Sequence, residues 1–185
     1  MNRRATHLAH ELIESVIEEG DTVIDATAGN GHDTLFLARL VGEAGCIHAI
    51  DIQQKALDAT AARLAETPGT LMLHLCSHDR MTEHVGEAKA VMFNLGYLPG
   101  ADHATITRKD STLAALAAAI TVLSSGGVLT CVCYPGHPGG LEEAEAVLAW
   151  AKGQAGPRYE LITANEKDRL EGRPFLVALK KARRA

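Results

Sequence analysis

Residues 25–34 read DATAGNGHDT: the end of an apolar run, a turn with two glycines, and the start of a helical pattern. Gly29 and Gly31 flank Asn30 directly behind TVIDA (22–26) and ahead of DTLFLARLV (33–41). A turn that merely joins a strand to a helix needs one glycine at most. Two glycines, one residue apart, point to a backbone that something approaches closely. The helix that follows would offer its N-terminal N–H groups to a ligand. Asp33 and Thr34 occupy the place where GxGxxG would close, which disfavours a dinucleotide site, and no Gly-Lys-Ser/Thr follows as in a Walker A loop. The plainer alternative is a glycine turn that only starts a helix.

Outward from this turn, strands and helices alternate. Residues 5–19 repeat apolar positions at helical spacing (Leu8, Leu12, Ile13, Val16, Ile17) and stop at Gly20. Strands are predicted at 22–26, 46–51, 71–76, 90–95 and 127–134, and helices at 33–41, 53–66, 112–124 and 140–153, with a weak helix near 80–86. The last two strands, 158–165 and 174–181, are separated only by EKDRLEGR, too short for a crossover helix, so they should pair antiparallel. The expectation is one α/β domain over 1–185: a seven-stranded, mostly parallel sheet with one antiparallel strand near its edge and helices on both faces.

Composition narrows the class. The chain has 185 residues, 46% hydrophobic and 22% charged, as in a soluble globular protein. Charged residues or glycine interrupt each apolar run before it reaches membrane-spanning length. The first twenty residues lack the apolar core of a signal peptide. The reading is a cytoplasmic protein with no membrane partner. Cys46, Cys76, Cys131 and Cys133 form no CxxC and sit in apolar runs, as buried reduced thiols do. The net charge of −5 argues mildly against bulk nucleic-acid binding. Yet Lys167, Arg169, Arg173, Lys180, Lys181, Arg183 and Arg184 crowd the end of the chain, either a solvated tail or a phosphate-binding patch.

In a sheet of this kind the ligand lies at the carboxyl ends of the strands, where the strand order reverses. The first strand brings Asp25 and the turn Gly29, Asn30, Gly31 and His32. The second ends in Asp51, about 20 residues past the glycines, where a carboxylate can accept both hydroxyls of a ribose; Gln53 lies just beyond. The third ends in CSHD, which sets Ser77, His78 and Asp79 where an adenine edge would lie. The fourth runs into NLGYLPG (94–100), with Asn94 and Tyr97 at the mouth of the pocket. The polar segment 101–112 is long for a connection, which favours a functional loop. In it Asp102 and His103 could carry a proton, while Arg108 and Lys109 could hold phosphate. The fifth ends in YPGHPGG (134–140), placing Tyr134 and His137 on the same edge.

The Asn-x-x-Tyr of residues 94–97 resembles the NPPY loop of amino-group methyltransferases, with Leu95 and Gly96 in place of the two prolines. The order of elements, the glycine turn and Asp51 together resemble class I S-adenosylmethionine-dependent methyltransferases of Rossmann-like fold. DATAGNGHDTLFLA, DIQ, FNLGYLPGADH, ST at 111–112 and YPGHPGG resemble, more narrowly, a bacterial family labelled rRNA methylases and now associated with the tRNA wobble position. The resemblance implies N-methylation of 5-aminomethyl-2-thiouridine, with S-adenosylmethionine as cofactor. It implies cofactor contacts from Asn30, His32, Asp51, Gln53, Ser77 and His78. A sulfonium methyl is already activated, so no metal is called for. The amine must lose a proton before it attacks. The candidates to take that proton are Asp25, Asp102, His103 and His137, with Asn94 and Tyr97 positioning the amine. RNA, most naturally a tRNA anticodon region, would dock on the catalytic domain itself through Arg108, Lys109 and the basic end, and a homodimer would widen that platform. A flipped base could stack on Tyr97 or Tyr134. The rival readings are transfer to ribosomal RNA, transfer to a small molecule, and a cofactor-sensing module without catalysis.

Overall fold

The computed structural model describes residues 4–95 and 109–183. In chain order the elements are α1 (Ala5–Glu14), β1 (Thr22–Asp25), α2 (His32–Val41), β2 (Cys46–Asp51), α3 (Gln54–Arg63), β3 (Thr70–Leu75), β4 (Ala88–Asn94), α4 (Lys109–Val122), β5 (Leu123–Cys133), α5 (Gly140–Gln154), β6 (Tyr159–Ala164) and β7 (Phe175–Lys181). The weak helix expected near 80–86 is a 3-10 segment, His78–Glu83, and a second such segment, Glu166–Glu171, joins β6 to β7.

The strands described form one sheet in the order β3-β2-β1-β4-β5-β7-β6. The first five pair in parallel, and β7 runs antiparallel to both β5 and β6. This is the seven-stranded architecture expected from the sequence. Because β1 pairs with β2 on one side and β4 on the other, the order reverses between β1 and β4. The crevice beyond their carboxyl ends is therefore the place for a ligand.

Alternation along the central strands sends neighbouring residues to opposite faces. Ile24, Val91, Phe93, Cys131 and Val177 point to the layer of α4 and α5, against Leu116, Ala119 and Val147. Val23, Ala90, Met92, Val132 and Ala178 point the other way, against Ala9, Ile13 and Leu37 of α1 and α2. Both faces are covered, which is why these strands read as unbroken apolar runs.

Two boundaries differ most from the sequence reading. α1 stops at Glu14 rather than near residue 19: the Ser15 hydroxyl donates back to the Leu12 carbonyl (2.7 Å), and the Ile13 carbonyl takes the N–H groups of both Val16 and Ile17. Such back-bonding and two β-branched residues in a row end the helix. β5 begins at Leu123, because its register with β4 shifts between Ala88 and Ala90 and absorbs the extra residues as a bulge.

Candidate active site

The double-glycine turn is held from below by Asp25. This carboxylate is buried at the end of β1, where it accepts the Thr34 hydroxyl (2.6 Å) and the Thr27 N–H (3.1 Å). Burial, then the charge of Asp33, push its pKa up to about 7. Asp25 was expected at the cofactor or as a proton acceptor. The structure instead seals it beneath the turn, where its carboxylate ties β1 to α2.

Asp51 holds the turn from the side. One of its oxygens accepts the Gly29 N–H (3.0 Å) and the other the Gln53 N–H (2.9 Å). A carboxylate oxygen has room for a second donor, and Asp51 is only half-buried, so both oxygens can still receive ribose hydroxyls. The reason for Gly31 is different from the one the sequence suggests. It sits at φ +75, and a Cβ there would stand 2.8 Å from Cα of Thr60 on α3. The close approach at this glycine is made by the protein's own helix. Gly29, at φ +52, has its carbonyl facing the Thr60 hydroxyl at 3.3 Å.

Asn30 and His32 lie exposed at the start of α2, both engaged by Arg63 of α3: its Nε donates to the Asn30 carbonyl (2.6 Å), and its guanidinium lies 3.2 Å from His32 Nε2. Arg63 is a member of this corner that the sequence did not single out. Ile52, between Asp51 and Gln53, is a large apolar side chain 57% exposed at a strand end, as a wall for a flat ring would be. Past β3, Ser77 precedes the 3-10 segment. The His78 ring packs edge-on to Phe93, and burial holds its pKa below the ordinary value while Asp79 and Glu143 oppose this. Among the described residues, His78 Nε2 and Asp79 Oδ1 are both buried without a hydrogen-bond partner.

At the switch point itself, Asn94 ends β4. Its N–H donates to the Thr27 hydroxyl (2.8 Å) and its side-chain Nδ2 to Asp33 Oδ2 (3.0 Å), while its Oδ1 is buried without a hydrogen-bond partner among the described residues. Asp33 Oδ1 lies 2.8 Å from His10 Nε2, and the His10 ring stacks on Phe36. Tyr134, at the end of β5, is half-buried, and burial and the Asp33 charge push its hydroxyl pKa up, against a hydrogen bond from Asn94. The sequence reading missed His10 and Asp33. Each is one of several polar residues on its helix, so nothing local singles it out.

Tyr97, Asp102, His103 and Arg108 lie outside the described residues. His137 lies in the turn before α5: its Nδ1 is 3.1 Å from the Pro138 carbonyl, and its ring, with the nearer Tyr134 carbonyl, leaves no room for a Cβ on Gly140. Several of the basic groups are paired at the surface. Lys109 pairs with Glu142 (2.7 Å), Arg169 with Glu166, and Arg173 with Asp168 and Glu171, while Lys181 donates to the Leu123 carbonyl. Among the described residues no group of three or more His, Cys, Asp or Glu is placed to hold a metal ion, and no helix is long and apolar enough to cross a membrane.

Residues 47–180 match the family described as "Putative rRNA methylase". The chain belongs to this family. A protein of the family's fold from Clostridium thermocellum, described as a "putative rRNA-methylase", shares 38% identity and superposes with a TM-score of 0.92, covering 98% of this chain and 99% of that one. A methyltransferase-like protein from Streptococcus mutans, solved in complex with SAH and described as a "putative methyltransferase", shares 33% identity with a TM-score of 0.87 over 98% and 99% of the two chains. The tRNA (mnm(5)s(2)U34)-methyltransferase of Arabidopsis thaliana chloroplasts is 44% identical over 165 residues, which are 82% of this chain and 60% of that protein. The chain thus spans less than two thirds of the length of that plant relative.

Proposed function

We propose that the protein is an S-adenosylmethionine-dependent RNA methyltransferase that N-methylates the 5-aminomethyl group of wobble 2-thiouridine in tRNA. The observation that carries this reading is a pair of acceptors on either side of β1: Asp51 at the end of β2 for a ribose diol, and Asn94 at the end of β4 for an amine. The plant relative named for the same wobble nucleoside supports the substrate, and the Streptococcus mutans neighbour solved with SAH supports the cofactor.

The residues present fit such a cofactor. Asp51 keeps acceptor capacity for two hydroxyls. Ile52 offers an apolar face, and Asp79 Oδ1 and His78 Nε2 are buried groups short of partners where an exocyclic amine and a ring nitrogen could supply them. Gly29, Asn30, Gly31, His32, Gln53 and Ser77 would line the rest of that cleft. When bound, the cofactor supplies a methyl group already activated on sulfur. The chain's task is then to align the amine and exclude water. Asn94 and Tyr134 are placed to orient it. We assign Tyr97, Asp102 and His103, which follow Asn94 in sequence, to the acceptor side. RNA would reach the crevice across the start of α4, with Arg108 and Lys109 toward the anticodon region, and a second copy of the chain would extend that surface. The four cysteines are free thiols, as suits a reducing cytoplasm.

The test is transfer of labelled methyl from S-adenosylmethionine to total tRNA and to ribosomal RNA from cells lacking this gene. Label in tRNA, mapped by nucleoside analysis to wobble aminomethyluridine, is the expected result. Label confined to ribosomal RNA would replace the substrate with the one the family's description names. Label in neither, with the cofactor still bound, would favour a small-molecule acceptor or a sensor.

A further inference from the structure

We propose that Asp33 and His10 are a positioning pair that fixes which end of the Asn94 amide meets the acceptor, and that they thereby select a group with a hydrogen to donate. The inference rests on the reading of the protein as an amino-group methyltransferase. The two ends of a carboxamide are nearly the same size, so its neighbours decide which way it faces. Here Asp33 decides. Asp33 Oδ2, an acceptor, lies 3.0 Å from Nδ2 and so turns the NH2 end of the amide toward α2. With that end turned to Asp33, Oδ1 is left buried without a hydrogen-bond partner among the described residues.

A buried acceptor without a donor keeps its desolvation cost uncompensated. It persists where a ligand completes it. An amine supplies that donor, whereas a methyl or a carbonyl at the same place does not. Asp33 itself cannot swing away, because its other oxygen is held at 2.8 Å by His10, whose ring lies flat on Phe36 at 3.8 Å between centroids. The arrangement draws on α1, α2, β4 and the end of β5. The titratable groups facing it are His10, Asp33 and Tyr134, with Asp25 beneath Asp33. His10 and Asp33 touch neither acceptor nor cofactor in this scheme; they act through Asn94.

The experiment compares two anticodon stem-loop RNAs, one with 5-aminomethyl-2-thiouridine at the wobble position and one with 2-thiouridine, in the presence of S-adenosylhomocysteine. Fluorescence anisotropy reads the affinities. Wild type should prefer the amine RNA by ~10-fold or more, the worth of one hydrogen bond to a charged group. Asp33→Asn lets the amide turn over, and Asn94→Asp sets two carboxylates face to face, whose repulsion swings the outward oxygen out of line with the amine. Each should abolish the preference and slow single-turnover methylation, with cofactor affinity by calorimetry unchanged. The double variant Asp33→Asn/Asn94→Asp restores a donor facing an acceptor and leaves an outward oxygen, so it should regain most of the preference. His10→Gln, which can still donate to Asp33, should keep it, and His10→Phe should not. In the unliganded wild type, the Asn94 side-chain N–H resonances should be protected from exchange.

Preference intact in Asp33→Asn, a double variant no better than its parents, or freely exchanging Asn94 hydrogens would overturn the positioning pair while leaving the function standing. A wild type that neither prefers nor methylates the amine RNA would overturn both.

Discussion

Replacing Asp25 by asparagine should make the protein more stable at alkaline pH, although it removes a charge from the centre of the fold. The carboxyl is 1% exposed, and its pKa is pushed from an ordinary 3.8 up to about 7, first by burial, then by the Asp33 charge, with Asp51 adding to it. Hydrogen bonds from Thr34 and Thr27 pull the other way without cancelling the shift. A carboxyl with a raised folded pKa holds its proton in the native state after the unfolded chain has lost it. Its contribution to stability is therefore complete below about 3.8 and is lost as pH rises to about 7. At ~1.4 kcal/mol per pH unit, that window amounts to ~4 kcal/mol. Asparagine has the same shape. Its oxygen can keep the Thr27 N–H, and its amide can donate to the Thr34 hydroxyl, which turns to accept. The variant carries no titration to lose.

The assay is urea unfolding of both proteins at several pH values from about 5 to about 8, read as the difference between them. The difference is needed because His74 tilts the raw curve the other way. Burial, then the charges of His84 and His48, hold its pKa down at about 4, so its contribution fades as pH falls from 6.5 toward 4. The advantage of Asp25→Asn should grow by ~2–3 kcal/mol between about pH 5 and about pH 7 and then level off. A difference that is flat, or that shrinks as pH rises, would show that the Asp25 carboxyl does not carry this proton.

Three further outcomes follow from single contacts. Gly31→Ala combines a left-handed backbone with a Cβ set 2.8 Å from the Thr60 Cα, so it should lose about 2–5 kcal/mol; a thermal melt matching wild type would mean that α3 yields at this contact. Asp51→Ala removes the acceptor for two backbone N–H groups and for the ribose. S-adenosylmethionine affinity by calorimetry should fall ~100-fold or more, about 2.7 kcal/mol, and an unchanged affinity would end the ribose assignment. Thr112→Val deletes a buried hydroxyl that donates to Glu143 at 2.6 Å, at a cost of roughly 1.5–3 kcal/mol by chemical denaturation. A loss under ~0.5 kcal/mol would show that other partners of Glu143 take over.

Which parts of this site were legible in the sequence follows from how the fold distributes its residues. In a parallel sheet every strand delivers its carboxyl end to the same edge, so finding the strands already gathers Asp25, Asp51, Ser77 and Asn94 at that edge before any coordinate is known. The double glycine was legible as a place of close approach, but not what approaches: Thr60 is a buried small residue on a helix predicted for other reasons, and nothing local marks it as facing Gly31. His10 and Asp33 are a harder case. Each lies on a helix, and where a helical side chain points depends on the rotation of that helix against the sheet, which apolar spacing gives only to within a face. Bringing His10 to Asp33 requires α1 and α2 to share one face of the sheet, and turning Asp33 toward Asn94 requires Thr34, its neighbour, to be pinned on Asp25. The same buried carboxylate whose pH dependence stability would report therefore sets the angle at which Asp33 meets Asn94. For that reason, a change at Asp25 that alters its length, such as Asp25→Glu, should disturb the amide's orientation as well as the stability, whereas Asp25→Asn should disturb stability alone.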